Sequence, residues 1–246
     1  ASAAYTLGIP IAHIHGGEVT AGSLDEGFRH SISKFSSLHF AATNEYRRRI
    51  IQLGENPKNV FNVGGLSLDN IMKKNLVNKE LLESKLNFKF GKKSILLTYH
   101  PYNIDRKILV KDIKEIFKAL SFFNDLKVIV TMPNADANGI YLADLISKIV
   151  IKNKNIKIYK SLGWKNYLSC LHYVDMVIGN SSSAILEAPS YGIPSINIGD
   201  RQKGRVFSQS VISVNPDHKK IIKAIKKGYS KNFQEKLLKI TNPYGM

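Results

Sequence analysis

The chain has 246 residues, 43% of them apolar, with 36 basic against 19 acidic side chains, a formal net charge of +17 and one cysteine. This size supports two modest α/β units or one large one; the lone Cys170 excludes an internal disulfide, and no run of about 18 apolar residues offers a membrane-spanning helix. The basic excess is spread along amphipathic segments (Lys111, Lys114, Lys118; Lys219, Lys220, Lys223, Lys226, Lys227) without interleaved aromatics, which reads as solvated helix surface and not as a nucleic-acid groove or membrane anchor. The opening Ala1-Ser2-Ala3-Ala4-Tyr5 lacks the regions of a signal peptide, so the expected location is the cytoplasm.

Strand-like and helix-like segments alternate almost throughout, the pattern of a parallel α/β architecture. The first part predicts strand 9–14, helix 24–35, strand 38–42, helix 44–53 and strand 60–63. Residues 73–93 are polar and lysine-rich with one weak helix, 79–86, and mark a boundary. From Ser94 the series is cleaner: strand 95–98, helix 107–123, strand 127–131, helix 139–151, strand 156–159, helix 164–171 and strand 176–178. Helix 182–191, strands 195–198 and 211–214, and helix 216–227 follow. In helix 107–123, Leu109, Ile113, Ile116, Leu120 and Phe123 step by four, three, four and three, which makes one buried stripe. The last helix is expected to have Asn215 as cap, Pro216 in its first turn and Gly228 as stop. Cys170, among Tyr167, Leu168, Leu171 and Val174, reads as a buried helix position.

The expected division is a first unit at 1–75, a linker at 76–93, a complete doubly wound unit at 94–240 and the start of a further segment at 241–246. Three strands and two clear helices leave the first sheet's faces uncovered. The chain opens on Ala1 inside a helix of small residues and ends on a turn signature, so both ends are expected to continue beyond the sequence.

Four clusters carry chemistry. His13-Ile14-His15-Gly16-Gly17-Glu18, with Asp25, Glu26, Arg29 and His30, follows a strand, where open parallel sheets bind ligands. Strand alternation puts His13 and His15 on one face, which allows a metal site with Glu18; acid/base work by Glu18, Asp25 or Glu26, with Arg29 fixing an anion, is the other chemical reading, and a core histidine with helix-start carboxylates is the structural one. His100-Pro101 ends the next unit's first strand and can donate to a phosphate or act as an acid. Pro133-Asn134-Ala135-Asp136 is a turn able to touch a sugar hydroxyl. Gly179-Asn180-Ser181-Ser182-Ser183 collects hydroxyls and backbone N–H groups at a helix start, Glu187 stands where it can accept from a ribose diol, and Arg201, Lys203 and Arg205 follow as positive charge for a diphosphate.

Taken together these motifs, with Asn62-Val63-Gly64 and Gly199-Asp200-Arg201-Gln202-Lys203-Gly204-Arg205, resemble the UDP-N-acetylglucosamine 2-epimerases, specifically the hydrolysing branch of sialic-acid and legionaminic-acid biosynthesis, over nearly the whole chain. The resemblance implies two Rossmann-like domains as in B-type glycosyltransferases, the first (1–75, sugar side) incomplete here and the second holding nucleotide. It implies Ser181 and Ser182 at the diphosphate, Glu187 at the ribose, Arg201 and Asn180 in the nucleotide site, His100 and Asp25 as catalytic groups, and Asn134 and Arg29 as substrate-binding residues. Relatives carry glutamate at the position of His15, so either Glu18 takes over or His15 itself moves the proton. The implied reaction converts a nucleotide sugar, UDP- or GDP-linked, to a free N-acetylmannosamine-type sugar by anti elimination to a glycal and addition of water, with no redox cofactor, no metal and a homo-oligomer, dimer or tetramer, as the working form. The family's first strands, with a catalytic Gly-Asp-Arg aspartate, would precede Ala1, so these 246 residues by themselves are expected to be nearly inactive. The competing readings are a glycosyltransferase of the same architecture, a metal-dependent hydrolase on His13, His15 and Glu18, and a nucleic-acid or membrane-surface binder.

Overall fold

The alternating segments build two parallel sheets, one of three strands and one of six. The computed structural model describes residues 1–20, 25–72, 76–102, 105–133, 138–151 and 153–245. The first part contains α1 (Ser2–Thr6), β1 (Ala12–Ile14), α2 (Asp25–Phe35), β2 (Leu38–Ala41), α3 (Asn44–Gln52), β3 (Val60–Asn62) and α4 (Ser67–Met72). Its strands pair in the order β1-β2-β3. Thr43 caps α3 by accepting from the Tyr46 N–H at 3.2 Å, satisfying one of the donors a helix start leaves open. Tyr46 and Ile50 are then buried with Ala41 and Val60 in a core that also takes Ile185 and Tyr244 from far along the chain.

The second part contains α5 (Lys79–Leu86), β4 (Lys93–Thr98), α6 (Arg106–Leu120), β5 (Leu126–Thr131), α7 (Gly139–Val150), β6 (Ile156–Tyr159) and α8 (Gly163–Tyr173). It continues with β7 (Met176–Gly179), α9 (Ser183–Leu186), β8 (Ser195–Ile198), β9 (Val211–Val214), α10 (His218–Gly228) and α11 (Lys231–Leu237). All six strands are parallel, in the order β6-β5-β4-β7-β8-β9. Ile95 and Leu97 of β4 enter the core under α6, α7 and α10, whereas Leu96 enters the one under α5 and α8. A strand covered on both faces therefore reads as an unbroken apolar run. The chain steps outward from β4 to β6, then returns to the other side of β4 to lay down β7, β8 and β9. That reversal opens a crevice at the carboxyl ends of β4 and β7, the place where doubly wound sheets bind ligands.

Several expectations shift. Strand 9–14 contracts to Ala12–Ile14, and the expected start of α2 at Leu24 lies outside the described residues. Helix 107–123 ends at Leu120, with Phe123 still packed against the core. Residues 76–93, expected as a linker, send Val77, Leu82, Leu86 and Phe88 into the second core. Asp217, not Asn215, caps α10, its carboxylate accepting from Lys220 N–H at 2.9 Å. The five lysines from Lys219 to Lys227 are exposed, opposite the buried Ile221, Ala224 and Ile225. Among the described residues no helix is long and apolar enough to cross a membrane.

Candidate active site

At the end of β7 the chain must pass tightly against β4. Gly179 sits at φ +133°, and a Cβ there would lie 1.9 Å from the Thr98 carbonyl oxygen, so no other residue fits. The next residue, Asn180, is fully buried and locks the two strand ends together. Its Oδ1 accepts from His100 N–H at 2.7 Å and its Nδ2 donates to the His100 carbonyl at 2.8 Å. Asn180 is one of the residues expected to touch nucleotide; both ends of its amide are engaged with the His100 backbone, so its side chain holds the two strand ends in register.

A cleft of about 920 Å3 opens over this junction. It is lined by His100, Ser181, Ser182, Ser183 and Glu187, together with Thr98, Thr131, Tyr167 and, towards β6, Met132, Ile140 and Trp164. The continuous helix expected at 182–191 is a single turn, α9, followed by a 3-10 turn at Ala188–Tyr191, with Glu187 at the break. Pro189 cannot supply an N–H to the α pattern, which accounts for the change of pitch. One turn carries little dipole, so what this end can offer an anion is its hydroxyls and backbone N–H groups. Ser182 occupies the N-cap position yet makes no capping bond. Ser183 receives a hydrogen bond from Tyr167 Oη at 2.7 Å, and the Tyr167 phenol is pushed upward by burial. Glu187 Oε2 is buried without a hydrogen-bond partner. A buried carboxylate oxygen left unpaired is costly, and one facing a cleft is an acceptor waiting for a donor.

Behind the cleft, Arg201 Nη1 and Gln202 Nε2 both donate to the Asn180 carbonyl, at 3.1 and 2.8 Å. Gln202 is almost wholly buried and was not singled out from sequence; only its place between Arg201 and Lys203 hinted at it. Arg205, expected to serve the anion, reaches the other sheet: its Nη2 pairs with Glu18 Oε2 at 3.1 Å.

The first sheet's residues form a second cluster. His13 lies in β1, buried, with Nδ1 3.0 Å from Ser33 Oγ, and burial, helped by His39 and Arg29, lowers its pKa to about 4. It is therefore a neutral core histidine. His15 follows the strand at φ +62°, a left-handed conformation uncommon for a side-chain-bearing residue, and its Nδ1 lies 2.8 Å from Glu18 Oε1. The expected common face of His13 and His15 is thus lost, because alternation ends where the strand does. Among the described residues no three His, Cys, Asp or Glu side chains come together to hold a metal ion. Burial by itself would raise the Glu18 pKa; the His15 hydrogen bond and the charges of Arg205, His15 and Arg29 outweigh it and hold the carboxyl below its ordinary value. Arg29 Nη1 donates to the Glu18 carbonyl at 3.1 Å. Asp25 opens α2 and is exposed.

Of the expected site residues, the cleft gathers His100, Ser181, Ser182 and Glu187. His15, Glu18 and Arg29 gather in the other cluster, and the loop after β8 touches both. Pro133 lines the cleft, but Asn134 and Asp136 lie outside the described residues. A separate cavity of about 430 Å3 between β9 and α10, edged by Lys220, Lys223 and Lys227, holds none of these groups. Cys170 is buried and its thiol is pushed up to about 12 by that burial, as expected of a structural position.

Residues 1–246 match the UDP-N-acetylglucosamine 2-epimerase family. The chain is 40% identical over 236 residues to the GDP/UDP-N,N'-diacetylbacillosamine 2-epimerase (hydrolyzing) of Campylobacter jejuni, covering 96% of this chain and 61% of that protein. It is 39% identical over 248 residues to the polysialic acid biosynthesis protein P7 of Escherichia coli, covering 99% of this chain and 62% of that protein. The chain thus spans less than two thirds of the length of these relatives. Among solved structures it resembles the Neisseria meningitidis UDP-GlcNAc 2-epimerase bound to UDP-GlcNAc, with a TM-score of 0.82 and 19% identity, over 99% of this chain and 68% of that one. At that identity the likeness speaks for the fold, an α/β architecture with parallel sheets.

Proposed function

This chain belongs to the UDP-N-acetylglucosamine 2-epimerase family, and from that premise we propose that the protein is a hydrolysing nucleotide-sugar 2-epimerase. Its substrate is UDP-N-acetylglucosamine or a related UDP- or GDP-linked amino sugar such as the diacetamido bacillosamine nucleotide. A base removes the C2 proton, the C1–O bond breaks, and the nucleoside diphosphate leaves with the bonding electrons, giving a C1=C2 glycal. Water then supplies hydroxyl to C1 and a proton returns to the opposite face of C2, releasing the epimerised free sugar. Neither step needs a redox cofactor.

An unactivated C2–H is lost only if the leaving group takes up charge readily, so stabilising the departing diphosphate is a large part of the barrier. Ser181, Ser182 and His100 do this from the cleft, with Arg201 behind them. Glu187 accepts from the ribose diol, and the apolar wall at Met132, Ile140 and Trp164 receives the base. Asp25 and the His15–Glu18 pair handle the protons, with Arg29 and Asn134 beside the sugar. In this assignment residues 1–75 form the sugar side, 94–240 the nucleotide-binding unit, and 76–93 connect them. The enzyme works in the cytoplasm as a homo-oligomer, supplying sugars for surface polysaccharide.

The observation that carries the reading is the Glu187 carboxylate oxygen, buried and unpartnered in the same cleft as Ser181, Ser182 and His100. Turnover of UDP-N-acetylglucosamine in deuterated water should place deuterium at C2 of a free mannosamine product. Free UDP with unlabelled glucosamine would mean simple hydrolysis, and transfer to an acceptor with C2 unlabelled would mean a glycosyltransferase.

A further inference from the structure

The loop after β8 is anchored at both ends, and the two anchors belong to different sheets. At one end Arg201 and Gln202 hold the Asn180 carbonyl. At the other, Arg205 pairs with Glu18, Val206 N–H donates to Tyr46 Oη at 3.0 Å, and Tyr244 Oη donates to the Val206 carbonyl at 2.9 Å. Between them Gly204, at φ +93°, lets the loop seat on Val19: a Cβ there would lie 2.4 Å from Val19 Cγ1. The residue after Glu18 and the residue before Arg205 are therefore in direct contact, which leaves the ion pair little freedom to drift.

Glu18 has both carboxylate oxygens engaged, Oε1 with His15 Nδ1 and Oε2 with Arg205 Nη2, and its side chain is only 5% exposed. An ionised carboxylate can only accept, so the His15 Nδ1 must carry the hydrogen and the Nε2 is left as the nitrogen that gains and loses a proton. The His15 ring is 33% exposed, so the neighbour of the buried carboxylate is the group that can meet water or a sugar. Its left-handed backbone, a conformation that persists only where surroundings impose it, fits the same account.

We propose that Arg205 is a positioning residue that orients Glu18, that Glu18 thereby fixes the tautomer of His15, and that His15 Nε2 is the proton carrier on the sugar side. The inference rests on the epimerase reading for the identity of the proton moved, but not for the Arg205–Glu18–His15 arrangement. It also assigns the loop 199–206 a joint role. Five residues of one loop span from the latch behind His100 to the partner of Glu18, so the leaving-group cradle and the proton-handling group share one rigid connection. Arg205 gives its charge to Glu18 and none of its binding to the diphosphate.

Arg205→Met and Arg205→Lys test this in the full-length protein. For Arg205→Met we expect UDP affinity and KM unchanged within about threefold, kcat and C2 deuteration reduced about 100-fold, a scale set by general acid–base groups, and partial recovery with Arg205→Lys. Nitrogen-15 NMR of the histidine rings should show His15 as the Nδ1–H tautomer in the parent protein and as a mixture in Arg205→Met. Loss of UDP affinity by about tenfold or more would place Arg205 at the anion and overturn the proposal. An unchanged His15 tautomer in Arg205→Met would overturn it as well. Should the parent protein leave C2 unlabelled, the epimerase reading fails, and the tautomer measurement still decides the positioning of His15. If Arg205→Met does not fold, Arg205→Lys carries the same tautomer and kcat comparison.

Discussion

Replacing Glu187 by glutamine removes one charge and one acceptor from the cleft while keeping the side chain's volume. Glu187 Oε2 is buried with no partner, and the amide leaves a polar atom unpaired in the same place, so folding stability should change little. Binding should weaken. A hydrogen bond to a charged acceptor contributes about 1.5–3 kcal/mol against about 0.5–1.5 for a neutral one, so two ribose hydroxyls give up about 2 kcal/mol, or about 30-fold in UDP affinity. Titration calorimetry with UDP and with 2'-deoxy-UDP forms a cycle: the deoxy ligand should lose affinity against the parent protein and much less against Glu187→Gln. A UDP dissociation constant within about threefold of the parent, or equal losses for the deoxy ligand in both proteins, would refute the ribose assignment.

Asn180→Ala strips the latch from His100 and leaves a buried N–H and a buried carbonyl unpaired, at about 1–3 kcal/mol each; urea unfolding should show a loss of about 2–6 kcal/mol, and a loss under about 1 would contradict the latch. His13 has a folded-state pKa near 4, below its ordinary 6.5, so the unfolded chain binds the extra proton between those values and stability falls as pH drops through that window. The loss is at most about 3 kcal/mol, with Glu18 adding to it at lower pH because its lowered pKa contributes stability only while it is ionised; thermal melts from pH 7 to 4 should be flatter for His13→Gln. Cys170, buried and with its thiol pushed up to about 12, should resist iodoacetamide at pH 8 in the native protein and react on unfolding, because the thiolate is the nucleophile; fast native labelling would contradict its placement.

The strand and helix alternation was legible because covered parallel strands are runs of apolar residues and covering helices carry a stripe, as at Ile95-Leu96-Leu97 and at Leu109, Ile113, Ile116 and Leu120. That Ser181, Ser182 and His100 would meet at one cleft was legible because they follow strands that end side by side where parallel sheets open, with Glu187 one helical turn further on. Local chemistry was less readable. The helix 182–191 breaks at Glu187, and the α10 cap moves to Asp217, because hydrogen bonding to particular N–H groups decides among several adequate candidates. Short elements such as α4 and α11 gave little periodicity to detect.

By itself the sequence determined the architecture and the inventory of chemical groups, since both follow from the order of apolar and polar residues along the chain. Which group faces which was decided only in three dimensions. Asn180 and His100 are 80 residues apart, and Glu18 and Arg205 meet across two sheets. Motif spacing carries no information about such pairs, because packing of Gly204 on Val19, Gly179 on Thr98 and Tyr46 on Tyr244 sets the distances. That packing makes Asn180 a latch on His100 and Arg205 the partner of a buried carboxylate, contacts that motif spacing did not announce.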